Sequence, residues 1–238
     1  MLNSFHFKQF SISQENAAHP VGTDGVLLGA WADVSAAKKI LDIGTGTGVV
    51  ALMLAQRTAI QQPVITALEP NPAAFEQAMK NFSRSAWSTH IQAYPLTIQQ
   101  FSINYPDKFD LLVSNPPFFT EKTLPPDDGR KMARHTDFLS SSDLLLAATR
   151  LLSAQGKFCV ILPPAQAQHL CEKGAALGLY YTKITQVLSR IHSPVERVLL
   201  QFERNPLHLI KDTLVIYQDQ QQYSDAYRSL TKDFYLNF

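Results

Sequence analysis

Residues Lys39 to Gln56 constrain the fold more than any other stretch. Lys39-Ile40-Leu41-Asp42-Ile43 is a short apolar run suited to a buried strand, and Val49 to Gln56 is apolar with helical spacing. Between them lies Gly44-Thr45-Gly46-Thr47-Gly48. A strand that turns through glycines directly into a helix is the opening unit of a wound α/β sheet. Such a turn sits at the carboxyl edge of the sheet, where ligands bind.

The remaining chain alternates in the same way. Val64 to Leu68 reads as a second strand, ending at Glu69-Pro70-Asn71-Pro72, with a helix from Ala73 to Ser85. His90 to Tyr94 is a weak third strand. Phe109 to Ser114 is a strong fourth, running into Asn115-Pro116-Pro117-Phe118. Helix Asp143 to Leu152, strand Lys157 to Leu162 and helix Ala165 to Leu177 continue the pattern. Thr182 to Ser189 and Arg197 to Glu203 face each other across Ser193-Pro194, and the tail offers a strand, Thr213 to Tyr217, and a helix near Tyr223 to Phe234. Ahead of the core, Phe5, Phe7, Phe10 and Ile12 alternate as a short hairpin. Helix Val26 to Trp31 follows, with Thr23 or Asp24 as its expected cap. Residues Thr120 to Asp137 carry Pro, Gly and charge in place of periodicity, the mark of a loop at a site.

The expected fold class is therefore α/β: a Rossmann-like doubly wound sheet, mostly parallel, with an antiparallel terminal hairpin. One domain is expected over 1–238, with a hairpin-and-helix extension over 1–35, the core over 36–205 and a C-terminal strand and helix over 206–238. A hydrophobic content of 45% is ample for its core. The apolar runs all fall short of the ~18 residues a membrane span needs. The N-terminus lacks a basic region followed by an apolar block, and Cys159 and Cys171 have neither CxxC spacing nor ligand pairs. A reduced, cytoplasmic, metal-free monomer is the expected state. His19, His90, His169, His192 and His208 are scattered without ligand spacing. Net charge is only +1, so any contact with nucleic acid must come from local patches.

The two loops carry the chemistry. A nicotinamide-binding turn wants GxGxxG, with its third glycine next to a pyrophosphate; here Val49 holds that position. Asp42 would repel a pyrophosphate, whereas a cationic ammonium would find it a partner, directly or through water. Gly44, Gly46 and Gly48 let backbone approach a cofactor without a Cβ in the way. Glu69, ending the second strand, is the expected acceptor for two ribose hydroxyls. These residues together predict an S-adenosyl-L-methionine pocket.

In Asn115-Pro116-Pro117-Phe118, the Asn115 side-chain oxygen and the Pro116 carbonyl can accept from the two N–H bonds of a planar amine. That contact draws the nitrogen toward tetrahedral geometry and aims its lone pair at a methyl donor. The prolines fix φ and restrict the residue before each, holding the acceptors rigid. Phe118 can stack on a flat base or amide. A proline turn that merely ends a strand is the competing assignment, and the upstream glycine loop weighs against it. Arg130, Lys131 and Arg134 form the densest basic cluster, on the loop after this tetrad, and are expected to meet phosphate; a solvated charged loop is the alternative. Lys183, Arg190 and Arg197 on the terminal hairpin are weaker candidates. Trp31 and Phe119 compete between nucleotide stacking and core packing.

The chain resembles the class I S-adenosylmethionine-dependent methyltransferases, in the glycine loop and in the Asn115-Pro116-Pro117-Phe118 tetrad. Phe7-Lys8-Gln9-Phe10, the segment from Val21 to Trp31 and Ala133-Arg134-His135 narrow the resemblance. These pieces are similar to bacterial tRNA (adenine-N6)-methyltransferases that modify the adenosine just 3′ of the anticodon in a valine tRNA. The resemblance implies that Thr23 and Asp24 lie near the cofactor's methionine end or the reacting base. It also implies that the loop around Arg134 and His135 meets tRNA. Many relatives place an acidic residue after the third strand; Tyr94-Pro95-Leu96-Thr97 has none, leaving backbone groups or Thr97 to hold the cofactor's adenine. Three rivals share the signatures: methylation of a protein glutamine amide, methylation of guanine N2 in ribosomal RNA, and a non-catalytic cofactor- or RNA-binding module. Glutamine methylation usually goes with Tyr in place of Phe118 and with an N-terminal helical domain. Guanine methylation often goes with a duplicated domain.

Overall fold

A computed structural model describes residues 4–15, 20–117, 139–218 and 222–237. Two short strands, β1 (Ser4–His6) and β2 (Ser11–Ser13), pair antiparallel. The chain then forms α1 (Thr23–Trp31), β3 (Lys39–Ile43), α2 (Val49–Arg57), β4 (Val64–Leu68), α3 (Pro72–Ser83) and β5 (Ile91–Tyr94). It continues through α4 (Ile98–Asn104), β6 (Phe109–Ser114), α5 (Ser141–Leu151), β7 (Leu152–Leu162) and α6 (Pro164–Ala176). It closes with β8 (Tyr180–Leu188), β9 (Val195–Glu203), β10 (Ile210–Val215) and α7 (Asp225–Thr231).

β3 to β10 make one eight-stranded sheet in the order β10-β8-β9-β7-β6-β3-β4-β5. Every neighbouring pair is parallel except the two that β9 makes, with β7 and β8. The terminal hairpin expected from sequence is present, turned so that its second strand lies inside its first. Strand order reverses beside β3, where chain direction along the sheet switches from β4 to β6; this is where α/β sheets open a ligand crevice.

The core is two layers, one per face. α1, α2, α3 and α7 bury Leu27, Val50, Phe82 and Tyr227 on one side, and α4, α5 and α6 bury Phe101, Leu144 and Leu170 on the other. Ile40, Leu41, Leu111 and Leu112 between them are fully buried, which is why β3 and β6 read as continuous apolar runs. Each such side chain contributes about 1.5–3 kcal/mol of transfer free energy.

Three local departures from the sequence expectation have physical causes. Helix α1 begins at Thr23 with Gly22 as its cap, and no side chain caps it. Thr23 and Asp24 lie inside the first turn, and the Asp24 carboxylate is engaged by Arg197, so neither is the expected cap. The sequence expectation placed no helix between the third and fourth strands, yet α4 forms there. Thr97 and Gln100 close a capping box around its first turn, a T-x-x-Q spacing legible in the sequence. Strand β7 starts at Leu152 rather than Lys157, because Leu152 already pairs with Phe109 ahead of a register shift.

Two glycines seat α1. They lie one helical turn apart, and a Cβ at Gly29 would stand 2.8 Å from the Met53 sulfur and at Gly25 3.2 Å from Val49 Cγ1. With that face bare, α1 lies tight on α2 and its first turn reaches the carboxyl edge of the sheet.

Candidate active site

The glycine loop leaves β3 with Gly44, Gly46 and Gly48 all at positive φ (73°, 56° and 86°). Its shape is fixed from β4: the Gly44 and Thr45 N–H groups both donate to the Leu68 carbonyl at 2.9 Å. Glu69 clamps it further. One carboxylate oxygen accepts from Gly46 N–H at 2.9 Å, and the other accepts from Asn71 N–H at 2.9 Å. The Asn71 side chain caps α3 in turn, with Pro72 at the first helical position.

The three glycines do different work. A Cβ at Gly44 or Gly46 would meet nothing within 4 Å, and both line the main cavity. Gly48 does not line it. Its left-handed conformation caps α2, and a Cβ there would fall 2.5 Å from the Phe82 ring. The contact that fixes Gly48 is thus a packing one, against α3.

Asp42 is buried at 1% exposure beneath this loop. The Thr45 hydroxyl donates to its carboxylate at 2.6 Å. Burial pushes the carboxyl up to about 7, against hydrogen bonds from Thr45 and the Ala51 backbone and with some help from the Glu69 charge. A cation beside Asp42 would favour the ionised form and offset that burial cost.

Asn115 follows β6, next to β3. Behind it the Ser114 hydroxyl donates to the Ile43 carbonyl at 3.0 Å, tying the two strand ends together. Asn115, Pro116 and Pro117 face the cavity that Asp42, Gly44, Gly46 and Glu69 border, about 870 Å³ in volume. Thr23 and Asp24 line it too, and the Asn115 Nδ2 lies 3.9 Å from where a Gly25 Cβ would stand. The Asp24 carboxylate accepts from Arg197 Nε at 2.7 Å, a pair that joins α1 to β9 across the cavity wall. Thr97 and Leu96 close the far side after β5, but the Thr97 hydroxyl is committed to the α4 cap.

Phe118, Phe119, Arg130, Lys131, Arg134, His135 and the loop Thr120–Asp137 lie outside the described residues. Trp31 is buried, donates from Nε1 to the Thr185 hydroxyl at 2.9 Å and carries the Lys183 ammonium 4.5 Å above its ring; it packs in the core. Among the described residues no group of three His, Cys, Asp or Glu could hold a metal, and no helix is long and apolar enough to cross a membrane.

One positioning residue was not found from sequence. Asn81, on α3 and 1% exposed, accepts from Ser13 N–H at 2.9 Å and donates to the Ser13 and Thr47 carbonyls at 3.1 and 2.8 Å. It pins both β2 and the glycine loop. A buried Asn in an otherwise amphipathic helix was its only signal.

The open space above two bare glycines, a buried carboxylate suited to a cation and a strand-end glutamate fit a cationic nucleoside cofactor. The family model "Methyltransferase small domain" matches residues 22–170. A Trichodesmium erythraeum protein named tRNA1(Val) (adenine(37)-N6)-methyltransferase is 46% identical over 99% of this chain and 99% of its own. A Haemophilus influenzae protein of the same name is 44% identical over the whole of both chains. Among solved structures, a protein of Agrobacterium tumefaciens described as a predicted O-methyltransferase aligns with TM-score 0.65 at 18% identity, covering 89% of this chain and 96% of that one. A TehB-like SAM-dependent methyltransferase of Corynebacterium glutamicum aligns with TM-score 0.52 at 18% identity, covering 77% and 89%. At such identities these two speak to the fold alone.

Proposed function

From the premise that this chain belongs to the tRNA1(Val) (adenine(37)-N6)-methyltransferase family, within the small-domain methyltransferases, we propose how its residues methylate the N6 amine of an adenosine in tRNA. The methyl donor is S-adenosyl-L-methionine. When bound, it supplies an electrophilic methyl on a sulfonium.

Asp42 meets the donor's positive charge, and the bare backbone at Gly44 and Gly46 lets it lie close. The free lone pairs of Glu69, whose two oxygens each already take one N–H, accept from the ribose hydroxyls. With Thr97 spent on a helix cap, backbone groups beside Leu96 receive the adenine of the donor. Thr23 and Asp24 stand near its methionine end.

At the acceptor, Asn115 Oδ1 and the Pro116 carbonyl take the two N–H bonds of the N6 amine. The amine nitrogen is thereby drawn toward tetrahedral geometry, so that its lone pair withdraws from conjugation with the ring and faces the methyl. Pro116 and Pro117 fix this loop, and Phe118 stacks on the base. Alignment of this kind is worth about 7–11 kcal/mol in effective molarity. No base is needed before transfer, because the excess proton leaves the product ammonium afterwards. Arg130, Lys131, Arg134 and His135 meet tRNA phosphates. A single cytoplasmic monomer fits this reading.

Its principal support is the shared cavity of Asn115, Asp42 and Glu69 in a chain so similar to named tRNA methyltransferases. Incubation with methyl-tritiated donor and unmodified tRNA tests it. The expected result is label in the RNA fraction; label confined to protein, or absent, refutes it.

A further inference from the structure

The main cavity is longer than one ligand. It runs from Glu69, after β4, to Tyr217, after β10, and those strands lie six intervals apart in the sheet order. At ~4.8 Å per interval that is roughly 29 Å along the sheet edge. Asp42, Gly44, Gly46 and Glu69 occupy one end, and Asn115 stands between with Thr23 and Asp24. The other end is walled by Ser189, Arg197 and Tyr217, none of which the transfer chemistry uses.

Tyr217 is held there firmly. Its N–H donates to the Ser189 carbonyl at 2.9 Å, which fixes it to the end of β8. Its ring stacks on Tyr223 with centroids 5.0 Å apart and planes 25° from parallel. Tyr223 stacks on Tyr227 at 5.0 Å, and Tyr227 is 2% exposed. Tyr217 is half-buried and lines the cavity, and its ring is backed by a ladder of tyrosines. Rigid aromatic faces beside a cationic side chain are how proteins hold unstacked bases of single-stranded RNA.

Resting on the tRNA reading above, we propose that Tyr217 is a stacking platform for a nucleotide immediately flanking the methylated adenosine. It is a positioning residue. Stacking there spreads the flanking base away from the target base, which then enters the Asn115 clamp alone. Arg197, already at this wall through Asp24, lies beside that nucleotide's path.

The test uses the full chain with Tyr217→Ala, Tyr217→Leu and Tyr217→Phe, on unmodified anticodon stem-loops that are intact or abasic on the 5′ or 3′ side of the target. With intact RNA, Tyr217→Ala and Tyr217→Leu are expected to raise the KM for RNA about ten- to a hundredfold. Turnover at saturating RNA and the donor Kd stay at wild-type values, and Tyr217→Phe behaves as wild type. On one of the two abasic RNAs, wild type and Tyr217→Ala should have equal KM, because the stacking partner is already gone. Tyr217→Leu keeps the wall filled, so a loss from misfolding would spare it and overturn the proposal. A wild-type KM in Tyr217→Ala, or a deficit undiminished on both abasic RNAs, also overturns it. Wild-type protein inert on these RNAs and on full-length unmodified tRNA alike would instead sink the tRNA reading on which the platform rests.

Discussion

Asn115 is the residue on which chemistry and binding separate most cleanly. Its amide lines the cavity but does not hold the glycine loop, which is fixed by Leu68 and Glu69. Asn115→Ala is expected to lower turnover by about two to four orders of magnitude, with donor affinity unchanged by calorimetry. Asp42 makes a pH-dependent prediction. Its carboxyl is raised from 3.8 to about 7 by burial, so the folded chain without donor holds this proton more tightly than the unfolded chain. The group's contribution to stability is thus present at low pH and lost as pH rises from about 4 to about 7. A cationic donor favours the ionised form, so donor affinity should fall as pH drops below 7, by up to about tenfold per unit. Titration calorimetry in buffers of differing ionisation enthalpy checks this, and Asp42→Asn should flatten the dependence. The motif residues themselves were legible at this scale, because glycines, an acid and an Asn-Pro-Pro turn are rare in that order. Arg197 as the partner of Asp24 was not, since no local pattern links α1 to β9.

At the scale of elements, the glycine loop is a device held from two sides: Leu68 and Glu69 at the end of β4, and Asn81 and Phe82 on α3. Gly48→Ala must place a side chain at φ 86° and against Phe82. It is expected to cost about 2–4 kcal/mol and lower Tm by roughly 5–12 °C. Gly46→Ala has open space and should lower Tm far less while weakening donor binding; equal effects on both readouts would contradict the division drawn between them. Asn81→Ala would strand one buried N–H and two carbonyls, a loss of about 2–4 kcal/mol in chemical denaturation. The central strands β3, β4 and β6 were legible because buried parallel strands are largely apolar runs. Helix α4 was overlooked because its apolar face is short, although its capping box was written in Thr97 and Gln100. The true start of α1 escaped because Gly22 caps without a side chain, whereas Thr23 and Asp24 look like caps.

At the scale of the whole molecule, the two ends of the chain close on each other. Phe7 bridges to Tyr235, the Lys8 N–H donates to the Phe234 carbonyl at 2.8 Å, and Gln56 donates to the Asp233 carbonyl at 2.9 Å. Rings run without a break from Phe10 and Phe7 through Tyr235, Tyr227 and Tyr223 to Tyr217 at the cavity wall. The sequence showed an aromatic N-terminal hairpin and a separate tail helix; that they share one cluster depends on contacts far apart in the chain, which periodicity does not reveal. Phe234→Ala should therefore destabilise the entire fold by about 3–5 kcal/mol in a single transition, rather than loosen the tail alone.

The central claim is that Asn115 directs a methyl group to N6 of a tRNA adenosine. Its most direct test is nucleoside mass analysis of tRNA from cells lacking the gene, complemented with wild type or with Asn115→Ala. N6-methyladenosine restored in valine tRNA by the wild type and missing with Asn115→Ala is the expected result. Restoration by both, or a methyl group found on another nucleoside, would contradict it.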